Sequence, residues 1–242
     1  MTGRQERSAR NCAPAWPGED NQKKITHIFD VDHTVIRSST TWYFIREALD
    51  KGLVSLSQLR KLPFEWLAYK LGRISQDFIE DAVESLAGIE KFELERIASS
   101  SFSRLRPNIY RDAVSLIRGA RDRGEEVIFA TSSFHILIKP LEQFLGIHES
   151  IASALEFRDN KTTGKLTGYS LFGAKKKDAV TAWLEDHAID RQDVRFYSDS
   201  YSDIPLLEFC GQPVAVNPDH ILKRAAKSRG WQILYFKETL GK

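Results

Sequence analysis

Long hydrophobic runs are missing from this 242-residue sequence: no apolar stretch reaches the roughly 18 residues that a membrane-spanning helix needs, so no transmembrane segment is expected. Cysteine is scarce as well. Cys12 and Cys210 share no metal-ligand spacing and are too few for a disulfide framework. A charge excess is also lacking, with 35 Lys and Arg against 33 Asp and Glu, which removes the electrostatic case for a nucleic-acid partner. There is no internal repeat and no low-complexity tract. The first 22 residues carry scattered charge and two prolines but no apolar core of the kind a secretory signal shows. They are read as a loose N-terminal tail, and a reducing cytoplasm is the expected compartment. What remains is ordinary for a globular chain: 42% hydrophobic and 28% charged residues, enough for one core domain with a smaller inserted module.

Short apolar runs of β type alternate with longer helical patterns, which predicts a parallel sheet covered by helices. His27-Ile28-Phe29-Asp30-Val31-Asp32 reads as a buried strand ending in carboxylates. Pro107 to Gly124 reads as a helix, with proline near its start and glycine just past its end. Glu126 to Thr131 is a second strand, and Phe134 to Leu145 a helix in which Pro140 introduces a kink or a stop. Residues 155–172 read as a hairpin turning through Asn160 and Gly164 and returning over Leu166 to Leu171. Ala174 to His187 is an amphipathic helix, Val194 to Asp199 a third strand, and Val214-Ala215-Val216 a fourth.

Residues 37–105 break the rhythm. They hold helical periodicity and large aromatics (Trp42, Tyr43, Phe44, Phe64, Trp66, Tyr69, Phe78, Phe92) but no convincing strand. A helical block placed after the first strand is read as a cap over the ligand-binding end of the sheet. The favoured role of Trp42, Phe44, Trp66 and Tyr69 is the cap's own small core, since an insert of this size needs aromatic burial to hold together. The predicted division is a tail over 1–22, a core domain over 23–36 and 106–242, and a cap over 37–105.

Three strands end in Asp30-Val31-Asp32, Thr131 and Asp199, and open α/β sheets bind ligands outside the carboxyl ends of their strands. One aspartate at a strand end is usually a turn residue. Several arriving together, with a lysine on a following helix, point to a built site. Asp30-Val31-Asp32-His33-Thr34, Thr131, Lys176 and Asp199-Ser200-Tyr201-Ser202-Asp203 resemble, in order, the four motifs of the haloacid dehalogenase superfamily of phosphohydrolases. The resemblance covers roughly residues 25–236. Residues 200–207 followed by 214–219 are most similar to its phosphoserine-phosphatase-like branch, which carries a helical cap after the first motif. The fold it implies is a Rossmann-like parallel sheet flanked by helices, with that cap.

The resemblance also implies a chemistry: magnesium-dependent hydrolysis of a phosphomonoester through an aspartyl-phosphate. A carboxylate can attack an anionic ester when a cation neutralises the phosphoryl oxygens, and magnesium prefers oxygen ligands. Asp30 is then the nucleophile, and Asp32 the acid that protonates the leaving alcohol and later the base that deprotonates water. Thr131 and Ser132 offer groups to the phosphoryl, and Lys176 offers charge to it and to the crowded acids. Asp30, Asp199 and the Asp32 carbonyl are the implied direct magnesium ligands, with Asp203 holding a metal-bound water or Lys176. Lys175, Lys176 and Lys177 are consecutive, and counting back from Trp183 and Leu184 favours Lys176, with Lys177 the runner-up. His33 replaces the glycine often found at its position and reads as a spectator, and Thr34 as a brace for the loop.

The substrate is read as a small phosphorylated metabolite or a lipid-linked phosphate, with Arg37 available to an anion. Phosphoserine phosphatases place an acidic residue after the first motif, whereas Ile36-Arg37-Ser38-Ser39-Thr40-Thr41 has no carboxylate. Two alternatives stay open: a phosphotransferase passing the phosphoryl group to an alcohol, and a non-enzymatic phospho-acceptor module. Asp32 and the cap weigh against the latter. Nothing in the sequence fixes the oligomeric state.

Overall fold

The computed structural model of the protein describes residues 24–53 and 83–241. The expected tail and the aromatics Phe64, Trp66, Tyr69 and Phe78 lie outside the described residues. In chain order the elements are β1 Thr26–Phe29, α1 Thr40–Asp50, α2 Lys91–Leu105, α3 Arg111–Asp122, β2 Glu126–Phe134, α4 His135–Leu145, β3 Ser150–Ser153, β4 Leu155–Arg158, β5 Lys161–Leu166, α5 Ala174–Asp186, β6 Val194–Ser198, α6 Ile204–Phe209, β7 Gln212–Val216, α7 His220–Arg229 and β8 Gln232–Leu234. Six strands form one sheet in the order β3-β2-β1-β6-β7-β8, and every pairing in it is parallel. Strand order reverses between β1 and β6.

Both faces of the sheet are covered, which is why its strands read as continuous apolar runs. Alternate residues feed alternate faces. Phe29, Phe129, Tyr197, Val214 and Val216 pack with Ala113, Val114 and Ile117 of α3 and with Ile138 and Leu141 of α4. Ile28, Ile128, Phe196 and Ala215 pack on the other face with Val180 and Leu184 of α5, Leu206 and Leu207 of α6, and Leu222 and Ala226 of α7. The layering is helix, sheet, helix. Helices α1 and α2 join a third apolar cluster, in which Phe44, Ala48, Leu94 and Ile97 meet Leu137 of α4 and Leu155 of β4.

Several boundaries differ from the sequence reading for local reasons. The helix expected from Pro107 is split: Arg106–Asn108 is a single 3-10 turn, and Ile109 and Tyr110 are extended before α3. Those two residues instead bridge to Ile36 and Thr239. Strand β2 runs on to Phe134, with an irregular register between Thr131 and Phe134. Pro140 lies inside α4 without ending it. The hairpin turns at Asp159 and Asn160, both at positive φ as a two-residue turn requires, and Gly164 falls within β5. Its return strand therefore ends at Leu166. Trp42 and Phe92 are 63% and 70% exposed, so of the described aromatics expected to form the cap's core only Phe44 is buried there. Strands β3 and β8, three or four residues each, were not foreseen.

A polar cluster is buried within the sheet. His27 Nδ1 lies 3.0 Å from the Tyr197 hydroxyl and Nε2 lies 3.1 Å from Glu125 Oε2. Burial, reinforced by Arg195, lowers the His27 pKa to about 4. A depressed histidine pKa means the unfolded chain takes up the proton first on acidification. The stability tied to neutral His27 is complete above its usual value of 6.5 and is lost as pH falls through about 4. Urea titrations across that window are expected to show His27→Gln closing its stability gap to wild type by a few kcal/mol at the acid end. A gap independent of pH contradicts the burial account.

Candidate functional site

The crevice outside the carboxyl ends of β1 and β6 is where a doubly wound sheet opens, and the acids of the sequence motifs meet there. Asp30 directly follows β1, and its backbone N–H donates to the Tyr197 carbonyl at 2.9 Å, which extends the ladder by one residue. Its side chain is buried. Lys176 on the first turn of α5 reaches across, with Nζ donating to Asp30 Oδ1 at 3.0 Å and to Asp203 Oδ2 at 2.8 Å. Ser198, the last residue of β6, donates from Oγ to the same Asp203 oxygen at 2.7 Å. Lys176, Val180 and Leu184 form the buried face of α5 at a four-residue spacing, which explains why this lysine turns inward. Lys175 and Lys177 lie over the rings of Tyr169 and Phe209.

Asp199 follows β6, and its oxygen Oδ1 accepts from Thr34 Oγ1 at 3.4 Å. Thr34 is fully buried and reaches this acid across the crevice, which is more than the loop-bracing role expected of it. Asp219 fixes the Asp199 loop from the far side. Its backbone N–H donates to the Asp199 carbonyl at 2.9 Å, while its carboxylate accepts from Tyr201 N and caps α7 through Ile221 N and Leu222 N. Asp followed by a helical pattern is a standard start signal, and that signal could have located Asp219.

The remaining candidates divide clearly. Asp32 lies beside Asp30 and accepts hydrogen bonds from Ser39, Thr40 and Ser133. Thr131 is buried, and its hydroxyl oxygen accepts the Ser133 N–H at 3.2 Å. Ser132 is exposed, and its carbonyl accepts from Ser153 Oγ at 3.0 Å. Arg37 is exposed, with its side chain against the Tyr110 hydroxyl. His33 is exposed at φ 60, a conformation that suits glycine and explains the residue usual at this place. The contributions of Ser133 and Ser198 were missed, because a lone serine carries no sequence signal of its own.

Burial and mutual repulsion raise Asp30 and Asp199 together. Burial pushes the Asp30 pKa up to about 7, with Lys176 opposing and Asp203 and Asp32 reinforcing the rise. Asp199 is raised well above the usual carboxylate range by burial, then by Asp30 and Asp203. Burial favours the neutral form of Lys176, but Asp203 and Asp30 outweigh it and hold the ammonium charged. One ammonium therefore serves four buried or half-buried acids, touching two of them, Asp30 and Asp203. Asp203 Oδ1 is buried with no hydrogen-bond partner, an orphan atom of the kind an added cation or its water would satisfy. Among the described residues no three acid, histidine or cysteine side chains close into an all-protein metal cage. A magnesium ion needs none, because it keeps several waters and takes one or two carboxylates. The donor set fits a hard divalent cation.

A sequence profile of the haloacid dehalogenase-like hydrolases matches residues 28–208. A histidinol-phosphatase from Neisseria meningitidis serogroup C (strain 8013) is 30% identical over 217 residues, spanning 87% of this chain and 98% of its own. The solved structure of a protein with unknown function from Bordetella pertussis Tohama I superposes with a TM-score of 0.77 at 27% identity, over 88% of this chain and 98% of its own. A substrate-bound phosphoserine phosphatase shares the fold, with a TM-score of 0.66 at 20% identity over 90% of this chain and 96% of its own. The chain belongs to the haloacid dehalogenase-like hydrolases. Within them it is a phosphoric monoester hydrolase. Among the described residues no helix is long and apolar enough to cross a membrane.

The raised acids set a sign for pH and metal. An aspartate whose folded pKa lies above its usual 3.8 contributes stability that is complete below that value and is lost as pH rises through about 7. A divalent cation relieves the repulsion of the ionised form. Magnesium is therefore expected to raise the Tm of metal-free protein more at about pH 8 than at about pH 5. An equal shift at both, or none, contradicts the assignment of a cation to these acids.

Proposed function

We propose that the protein is a magnesium-dependent phosphomonoesterase in which Asp30 forms an aspartyl-phosphate. The observation that supports it most is the buried set of Asp30, Lys176, Asp203 and Ser198 beside Asp199 at the point where strand order reverses. Asp30, Asp199 and the Asp32 carbonyl are the proposed magnesium ligands, with Asp203 satisfying a metal-bound water through its free oxygen. Magnesium supplies positive charge against the phosphoryl oxygens, without which a carboxylate is repelled from an anionic ester.

An Asp30 oxygen attacks phosphorus in line, and Asp32 passes a proton to the leaving oxygen. Asp32 then takes a proton from the water that opens the aspartyl-phosphate. Lys176 keeps Asp30 aimed and offsets charge on the transferring group. Thr131, Ser132 and Arg37 are the proposed contacts to the phosphoryl or to the rest of the substrate. Residues 37–105 are the proposed cap, and α1 and α2 are its described part.

The proposed substrate is a small phosphorylated metabolite. The relative named as a histidinol-phosphatase supports that class, while the missing carboxylate in 36–41 weighs against phosphoserine, whose ammonium is met by an acidic residue after the first motif in phosphoserine phosphatases. A lipid-linked phosphate has weaker support, in the exposed Trp42 and Phe92. Purified protein is expected to hydrolyse para-nitrophenyl phosphate with magnesium and to stop with chelator. Asp30→Asn is expected to reduce kcat by at least about a thousandfold, because the covalent route is lost. Normal turnover by that variant overturns the nucleophile.

A further inference from the structure

Asp32 accepts hydrogen bonds from three residues, Ser39, Thr40 and Ser133, none of which lies on β6 or α5. Thr40 N donates to Oδ1 at 2.9 Å, while Ser39 Oγ and Ser133 Oγ lie 3.0 and 3.1 Å from Oδ2. Thr40 Oγ1 is 3.3 Å from the same oxygen and 2.8 Å from Ser133 Oγ. Of these last two hydroxyls, one donates to the other and the second donates to Oδ2. An ionised carboxylate offers about four lone-pair positions, two on each oxygen. Oδ2 is thereby filled, whereas Oδ1 accepts one backbone N–H and keeps one position free.

The start of α1 shows what this arrangement forgoes. Ser39 is the N-cap residue, whose hydroxyl would ordinarily accept a backbone N–H of its own helix. It makes no such cap bond and turns to Asp32 instead, which in return accepts the Thr40 N–H. Thr40 and Ser133 are both buried, and their hydroxyls are directed at Asp32 Oδ2 and at each other.

We propose that Ser39, Thr40 and Ser133 are positioning residues that clamp Asp32 Oδ2, so that Oδ1 carries the proton delivered to the leaving group. The proposal rests on the reading of Asp32 as the acid. In the step concerned, an Asp30 oxygen bonds to phosphorus as the bond to the ester oxygen breaks. The Asp32 Oδ1 proton moves to that oxygen, and a neutral alcohol departs. The acid is thus held jointly by the first turn of α1 and the end of β2.

The test compares two esters of nearly the same shape. Phenyl phosphate releases the more basic oxygen and depends more on the proton, whereas para-nitrophenyl phosphate releases a weaker base and depends on it less. The ratio kcat/KM reports events up to alcohol release, so it isolates this step. Thr40→Val and Ser133→Ala are each expected to lower kcat/KM for phenyl phosphate about tenfold or more, but for para-nitrophenyl phosphate less than about threefold; a positioned acid contributes roughly 10²–10⁴ in all. Thr40→Ser is expected to restore the phenyl phosphate rate. Ser39→Ala, at a less buried position, gives the same readout if a core variant fails to fold. Equal losses on both esters, or no loss on either, overturn the clamp and leave the nucleophile standing. A wild type inert toward both esters overturns the reading of the site itself.

Discussion

The Lys176 ammonium lies 3.0 Å from Asp30 and 2.8 Å from Asp203, and all three side chains are less than a tenth exposed. Removing charges from water costs several kcal/mol per ion, and only close, hydrogen-bonded partners offset it. Each member of the set therefore requires the others. Lys176 keeps its proton because two acids face it, and burial raises Asp30 only as far as Lys176 permits. Ser198 completes one side of Asp203, and the other side stays unpaired. That unfinished balance is what a divalent cation fits.

The rest of the fold holds this set in place. Parallel pairing of β1 with β6 puts Asp30 and Asp199 at adjacent strand ends. The buried face of α5 sets the direction of Lys176, and Asp219 anchors the Asp199 loop from the start of α7. Asp32 belongs to a separate network. Its partners come from α1 and from the end of β2, so on the proposed mechanism the nucleophile and the acid are supported by different parts of the chain.

How much of this was legible depended on the range of the signal. The β1 and β6 acids could be read because apolar runs ending in aspartate are local patterns. The inward lysine could be chosen from three because helical spacing ties it to Leu184 eight residues on. The Ser133–Asp32 and Ser39–Asp32 contacts could not, since nothing in a serine's neighbours announces a partner; in the first case the partner is 101 positions away. The extended Ile109 and Tyr110 were hidden for a related reason: their partners Ile36 and Thr239 are remote, and tertiary pairing overrode a helical pattern. Trp42 misled because aromatic composition does not say which face of a helix will find cover.

On the proposed mechanism the phosphoryl group is transferred from substrate to Asp30. Acid quench during turnover of an aryl phosphate, followed by borohydride reduction and peptide mass spectrometry, converts an aspartyl-phosphate to homoserine at the residue that carried it. Homoserine at position 30, dependent on substrate and magnesium, is the predicted result. Turnover with no reduced residue, or with the reduced residue at Asp32, Asp199 or Asp203, contradicts it.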